Sequence, residues 1–215
     1  MRLSLACLLV ALAGVNRPLG AQLPLSAGAS VSLAEHRVAA GAGLERSSGA
    51  IFGVSAATSV PWRGMGAWIV LRAGSLGANE RIAVDRDMGE VRLGASMPVR
   101  KWLAAEAGLV VRRYASPLAA QRWVWAELGV TGRTSLLDDA IRISAGLSMM
   151  PLVSVSGISR PDLAVAAQST AAYTTGRLTG TLRYALERFD FPARGDGRRL
   201  EELSSLEIGL AWRVR

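Results

Sequence analysis

The residue types that could do acid–base or metal chemistry are few in this chain and poorly placed for it. His36 is the only histidine, and it lies before or early in the first predicted strand, where it has no obvious partner for general base catalysis. The acid pairs Asp138–Asp139 and Glu201–Glu202 are sequence neighbours, and neighbours on a strand point to opposite faces. We interpret these pairs as solvated turn and loop residues, and we expect no catalysis, metal or cofactor.

The most informative chemical feature is a set of glutamates and arginines on one face of alternating segments. In residues 90–99, EVRLGASMPV, Glu90 and Arg92 lie opposite Val91 and Leu93. This period of two indicates strands with one apolar and one polar face. Over all segments, the polar face carries Glu45, Arg72, Glu90, Arg92, Glu106, Arg112, Glu127, Arg133, Arg142, Arg183, Glu187, Glu207 and Arg213, and also Arg37.

The elements that carry these charges are long predicted strands. Ordinary strands have ~5–6 residues, whereas a tilted strand that crosses a bilayer needs ~9–11. Residues 22–36 either extend the first strand or form a lead-in segment. About ten segments of ten to fourteen residues are predicted, at roughly 37–46, 50–60, 66–76, 88–99, 101–114, 121–134, 140–153, 162–173, 177–189 and 204–214.

The links between the segments alternate in length. Short links at 61–65, near 100, at 135–139 and at 174–176 alternate with longer polar ones at 76–86, 115–120, 154–160 and 190–203. Only the first link of the longer set, near 47–49, is short. This asymmetry is typical of transmembrane barrels with tight turns at one end and longer loops at the other.

The N-terminus indicates export. Arg2 precedes a short apolar run, and a cut after Ala21 is plausible, so residues 1–21 are predicted to be a signal peptide and 22–215 one barrel domain. Cys7, the only cysteine, falls in the signal. Loss of Arg2 and Arg17 lowers the formal net charge from +8 to +6, and the remaining arginines are spaced singly, which argues against nucleic acid as a partner.

At this level of pattern, the chain resembles the small bacterial outer-membrane β-barrel proteins. The sharpest local match is the C-terminal signal read by the barrel-assembly machinery, which Glu207, Gly209, Trp212 and Val214 fit in the last strand. The usual terminal aromatic residue is missing, because Arg215 follows Val214. The resemblance implies a bacterial outer-membrane location, lipid contacts and that machinery as a partner during biogenesis.

We therefore predict an all-β, antiparallel, up-and-down transmembrane barrel of about ten strands, with eight as the alternative, in a monomer. Isolated charges in a narrow lumen are costly and must be paired, and so small a barrel is nearly filled by its own side chains. The first hypothesis is a lumen plugged by an Arg/Glu network. The alternatives are a narrow, weakly anion-selective pore, because eight interior arginines outnumber six glutamates, and a secreted soluble β-barrel that binds a small ligand.

The predicted role is structural or surface-interacting, and non-enzymatic. The loops near 77–87 and 190–203 are expected to meet partners, and Arg194, Arg198 and Arg199 could contact lipopolysaccharide phosphates. The Arg-Gly-Asp triplet at Arg194 is interpreted as a flexible turn. Aromatic residues near strand ends are expected in interfacial belts, namely Trp62, Trp102, Tyr114, Tyr173, Phe189 and Trp212.

Overall fold

The computed structural model describes residues 24–60, 64–79, 83–194 and 197–214. The predicted signal peptide and Trp62 lie outside these ranges. Within them, no helix is long and apolar enough to cross a membrane. The strands are β1 Leu25–Ala40, β2 Gly43–Val60, β3 Met65–Ala78, β4 Arg86–Arg100, β5 Leu103–Ala115, β6 Ala120–Leu136, β7 Ile141–Met149, β8 Ser154–Val155, β9 Leu163–Thr175, β10 Leu178–Arg194 and β11 Gly197–Arg213.

Ten of these strands close into an antiparallel barrel. Each pairs with its neighbour in the chain, β7 pairs with β9, and β11 pairs with β1 to complete the ring. The two-residue β8 lies outside the ring order and pairs with β6, where Val155 is opposite Trp123. The predicted fold class is therefore confirmed with ten strands.

Both ends of the described chain lie at one end of the barrel. The amide of Val214 donates to the carbonyl of Leu25 at 2.8 Å. We call this the near end; it also holds the β2–β3, β4–β5, β6–β7 and β9–β10 connections. The far end holds the β1–β2, β3–β4, β5–β6 and β10–β11 connections and the connection at 150–162 between β7 and β9.

Several predicted boundaries are wrong. The segment 140–153 is too long, because β7 ends at Met149. The segment 37–46 straddles a two-residue turn, because β1 runs to Ala40 and Gly43 is its partner across the turn; Gly41 there has a φ of +57°, which glycine adopts without steric cost. In the predicted loop 190–203, residues 190–194 and 197–203 are strand, since β10 and β11 remain paired up to Arg194 and Gly197. That pairing satisfies backbone groups that a loop would leave to water.

The outward face of the barrel is apolar. Leu33, Phe52 and Ile208 are 68%, 65% and 61% exposed, and on β1 the outward apolar residues run from Leu25 to Leu33. Eight strand steps span about 27 Å, or about 20 Å along the barrel axis at a tilt of about 40°, against an apolar band of about 25 Å in outer-membrane barrels. The apolar outward face, which we call the apolar belt, is therefore of a height that suits a bilayer.

The aromatic residues divide between two places. Trp102, Tyr173 and Trp212 are exposed near the near end, as an interfacial belt requires. Tyr114 and Phe189 are buried inside the barrel, so their predicted place in a belt is wrong: each shares the inward face of its strand with the charged residues.

An aromatic core fills the far half of the lumen. Trp123 and Trp125 are each 1% exposed, and the ring of Phe189 lies 5.0 Å from Trp123 and 5.7 Å from Trp125, in edge-on geometry. Met150 and Val153, from the 150–162 connection, are buried in the same cluster. The connection thus closes the far end of the barrel with its own apolar side chains.

Candidate functional site: the ion-pair network in the lumen

The charged residues below the aromatic core form one connected network. At its centre, Arg112 donates from Nε to Oε2 of Glu90 at 2.8 Å, and its Nη1 lies 2.7 Å from Oε2 of Glu187. Arg92 donates to the other oxygen of Glu187. These four side chains come from β4, β5 and β10, so the network ties together two distant parts of the barrel wall.

The network extends from this centre in two directions. Nη2 of Arg72 donates to Glu207 at 2.6 Å, and Nη1 of Arg92 donates to Glu127 at 3.2 Å. The hydroxyl of Ser148 donates to the second oxygen of Glu127 at 2.6 Å. These contacts connect the centre to strands β3, β6, β7 and β11. We define the lumen network as the charged residues Arg72, Glu90, Arg92, Arg112, Glu127, Glu187 and Glu207.

Burial is greatest at the aromatic core and decreases towards the near end. The side chains of Glu90 and Arg112 are 0% and 2% exposed, whereas those of Arg72, Glu207 and Glu127 are 12%, 13% and 20% exposed. The guanidinium of Arg112 lies 4.9 Å from the ring of Trp125, a cation–π contact. The network therefore lies directly against the core that closes the far end.

A second buried group lies at the far end and was missed by the sequence prediction. Nε2 of His36 lies 3.2 Å from Oε2 of Glu201, and Nδ1 lies 3.0 Å from Nη1 of Arg86. Arg199 reaches the same glutamate at 2.6 Å, and the His36 ring stacks on Tyr114 at 4.9 Å. The prediction of Glu201 as a solvated loop residue is wrong, because β11 begins before it and Glu201 lies on the same inward face as Glu207. Asp138 and Asp139, in contrast, are exposed in a turn.

The near half of the lumen contains a cavity of about 230 Å³. Arg183 and Glu106 both line it, with the indole of Trp68 and the amide of Gln168. Arg183 donates to Gln168, and its Nε is buried with no hydrogen-bond partner. Within the described ranges, neither Arg183 nor Glu106 has an ion-pair partner within 4.0 Å.

Other predicted lumen charges lie elsewhere. Arg133, Arg142 and Arg213 are exposed at the near end, where their strands leave the barrel, and Arg133 donates to the carbonyl of Lys101 at 3.3 Å. Glu45 is half-exposed at the far end and pairs with Arg86. Arg37 points outward and pairs with Glu35 at 2.7 Å, so its predicted inward position is wrong.

The predicted assembly signal is in the last strand, where Glu207 and Gly209 face inward and Trp212 and Val214 are exposed. The predicted lipopolysaccharide contacts are less suitably placed. Arg199 faces inward and pairs with Glu201, and Arg198 is exposed but pairs with Asp190. The side chain of Arg194 lies outside the described part of the structure.

The chemistry available inside the barrel is charge pairing. His36 is 4% exposed, and its ring nitrogens lie against the carboxylate of Glu201 and the guanidinium of Arg86. Within the described residues, no group of three or more His, Cys, Asp and Glu side chains could hold a metal ion. The arrangement can fix the register of the strands and close the lumen.

Comparison with known proteins places the fold. No protein-family model and no curated protein matches the sequence. Among solved structures, the chain is similar to the translocator domain of autotransporter NalP from Neisseria meningitidis, with TM-score 0.56, 12% identity, and 97% of this chain and 94% of that chain covered.

Two further barrels match with lower TM-scores. The β domain of the Bordetella autotransporter BrkA gives 0.48 at 13% identity, covering 86% of this chain and 98% of that one. Neisserial surface protein A gives 0.41 at 10% identity, covering 88% and 96%. The closed ring of ten antiparallel strands and the match to the translocator domain together show that this chain has the fold of the bacterial outer-membrane β-barrels.

Proposed function

We propose that the protein is a non-enzymatic, monomeric barrel of a bacterial outer membrane, with its near end in the periplasm and its far end outside the cell. Its role is structural or surface-interacting, and its lumen is closed to diffusion. The observation that carries this proposal is the lumen network lying directly beneath the aromatic core.

The apolar belt supports a membrane location over a soluble, secreted barrel. Soluble monomers rarely expose a contiguous apolar patch above a few hundred Å², whereas here the exposed Leu, Val, Ile and Phe residues continue around the wall. The interior of a soluble small-ligand binder would be apolar, whereas the middle of this lumen is filled by the charged side chains of the lumen network.

The charge balance supports a plug over an anion-selective pore. Arg72, Arg92, Arg112 and Arg183 face five glutamates, Glu90, Glu106, Glu127, Glu187 and Glu207. The excess of arginine that favoured anion selectivity came from Arg37 and the three near-end arginines, which lie outside the middle of the lumen. A pore would also need a path through Trp123 and Trp125.

Recordings in planar bilayers test the plug. We expect no steady ohmic conductance from the wild-type protein at low voltage, after cold and boiled gel samples confirm a folded barrel. Steady conductance that disappears in Arg112→Ala would instead establish the narrow pore.

A pair of outward arginines at the far end supports a lipopolysaccharide contact. Arg113 and Arg122 are directly opposite each other on β5 and β6, each two residues beyond an apolar outward residue, Val111 or Val124. Both are exposed, and like charges directly opposite on paired strands are destabilising. A phosphate between the two guanidinium groups would remove that repulsion through charge-assisted hydrogen bonds.

Binding of purified lipopolysaccharide to the detergent-folded barrel tests this contact. The double variant Arg113→Gln/Arg122→Gln should weaken binding about tenfold or more, whereas Arg142→Gln/Arg213→Gln, with equal charge loss at the near end, should not. Equal weakening by both double variants would show only nonspecific attraction.

A further inference from the structure

We propose that the near-half cavity, lined by Glu106, Trp68 and Arg183, is a binding site for a small zwitterion that enters from the near end. Its carboxylate would meet Arg183 and its ammonium group would meet Glu106. This binding site is additional to the proposed structural role.

The two charged residues lie on nearly opposite walls. In the order of the ring, β5 and β10 are separated by β6, β7 and β9 on one side, so Glu106 and Arg183 project into the same space from across the lumen. Glu207 is directly opposite Arg183 in the strand register, but it is held by Arg72 at 2.6 Å. Arg183 is thus left with the neutral amide of Gln168.

Unpaired charges inside a barrel are costly, and each needs a partner or water. Each charged member of the lumen network has an oppositely charged partner within 4.0 Å, whereas Glu106 and Arg183 have none among the described residues. A zwitterion with its charges at opposite ends would supply both missing partners at once. Trp68 adds an aromatic face beside the cavity, which favours a cationic group.

The size of the cavity suits a small molecule. Its volume of about 230 Å³ exceeds the ~150 Å³ of an engineered cavity that holds benzene. The indole of Trp68 is seated against glycine, since a Cβ on Gly94 would lie 2.4 Å from its ring. Glycine at this position therefore leaves room for the ring at the wall.

The near end gives access. Inward positions beside the cavity on this side carry small side chains, including Ser55, Thr131 and Thr181, and Ser55 is exposed although it faces the lumen. The inward arginines beyond them, Arg133, Arg142 and Arg213, are exposed at the rim. At the other end of the lumen, the aromatic core blocks entry. A ligand would therefore come from the compartment that the near end faces.

Titration calorimetry on the full mature chain in detergent tests the site. The probes are the zwitterions glycine, 4-aminobutyrate and 6-aminohexanoate, with butyrate and butylamine as single-charge controls. We expect at least one zwitterion to bind about tenfold or more tightly than butyrate and butylamine, because a second charged contact adds to affinity.

Two variants assign the ends of the ligand. Arg183→Gln should weaken both the zwitterion and butyrate about tenfold or more, whereas Glu106→Gln should weaken the zwitterion and leave butyrate unchanged. Arg113→Gln, on the outward face at the far end, is the control, and mobility shifts on unheated gels confirm folding of each variant. Equal affinities for all probes, or zwitterion binding that both variants retain, would overturn the proposal, and neither result bears on the conductance test.

Discussion

Replacing Arg112 by methionine tests whether the lumen network stabilises the barrel. Arg112 contacts Glu90 and Glu187 and lies against the ring of Trp125. Methionine keeps much of the volume and removes the charge, so the main change is the loss of a shared cation between two buried carboxylates.

The expected loss in the free energy of unfolding is about 3–5 kcal/mol, the usual cost of removing one partner from a buried ion pair. The lower part of the range is favoured because both glutamates still have Arg92 as an ion-pair partner in the variant. Nε of Arg92 lies 3.5 Å from Glu90, and its Nη2 contacts Glu187. With a urea slope of about 2 kcal/mol/M, the unfolding midpoint should fall by about 1.5–2.5 M.

Urea titration of the barrel in lipid vesicles, followed by tryptophan fluorescence, measures this shift. Arg142→Met is the matched control at the exposed near end, where the change should stay within about 0.5 kcal/mol. A double-mutant cycle with Glu90→Gln should give a coupling of about 1–3 kcal/mol. A loss below about 1 kcal/mol, or strict additivity, would refute the stabilising role of the network.

Three further substitutions probe other layers of the barrel. Ile208→Arg on the apolar outward face should lower the free energy of unfolding in vesicles by about 2–4 kcal/mol. Leu152→Arg, at a residue that is 64% exposed in the 150–162 connection, should lower it by under about 0.5 kcal/mol. Equal losses would contradict a lipid-facing outer surface. Gly94→Val should displace Trp68 and cost about 1–3 kcal/mol, and Gly89→Ala on the same strand, where an added Cβ meets nothing within 4 Å, serves as its control in the same titration. Trp123→Ala should cost about 3–5 kcal/mol, and a loss no larger than that of Trp212→Ala would contradict a packed core.

Where the segment bounds are right, the face of a residue can be predicted from the sequence because a strand has a period of two; Arg37 is the exception, since its predicted segment straddles the turn at 41–42. Arg72, Glu90 and Arg112 were assigned inward, and they lie inward. The same period, continued from Glu207 back towards the far end, places Glu201 inside as well, but the run of charges at 198–202 favoured a loop.

Depth along the barrel axis could not be predicted in this way. Arg133 and Arg142 share the inward face of their strands with Glu127 and Ser148, but they lie at the exposed end of the barrel. Their height depends on strand tilt and on the stagger between strands, and both follow from closure of the whole ring. Filling of the far end by Met150 and Val153 depends on the same tertiary arrangement.

The lumen network also constrains the order in which the protein can assemble. Arg72 and Glu207 are 135 residues apart in sequence, and Arg92 and Glu187 are 95 apart, so these pairs form only when the first and last strands have met. Arg112 and Glu90 can pair earlier, because their strands are neighbours, but Glu187 and Glu207 have no network partner until closure and require hydration while the outer wall is entering lipid. We therefore expect water to leave the middle of the barrel late, after the seam between β1 and β11 has closed, which makes dehydration of the interior the last step of maturation.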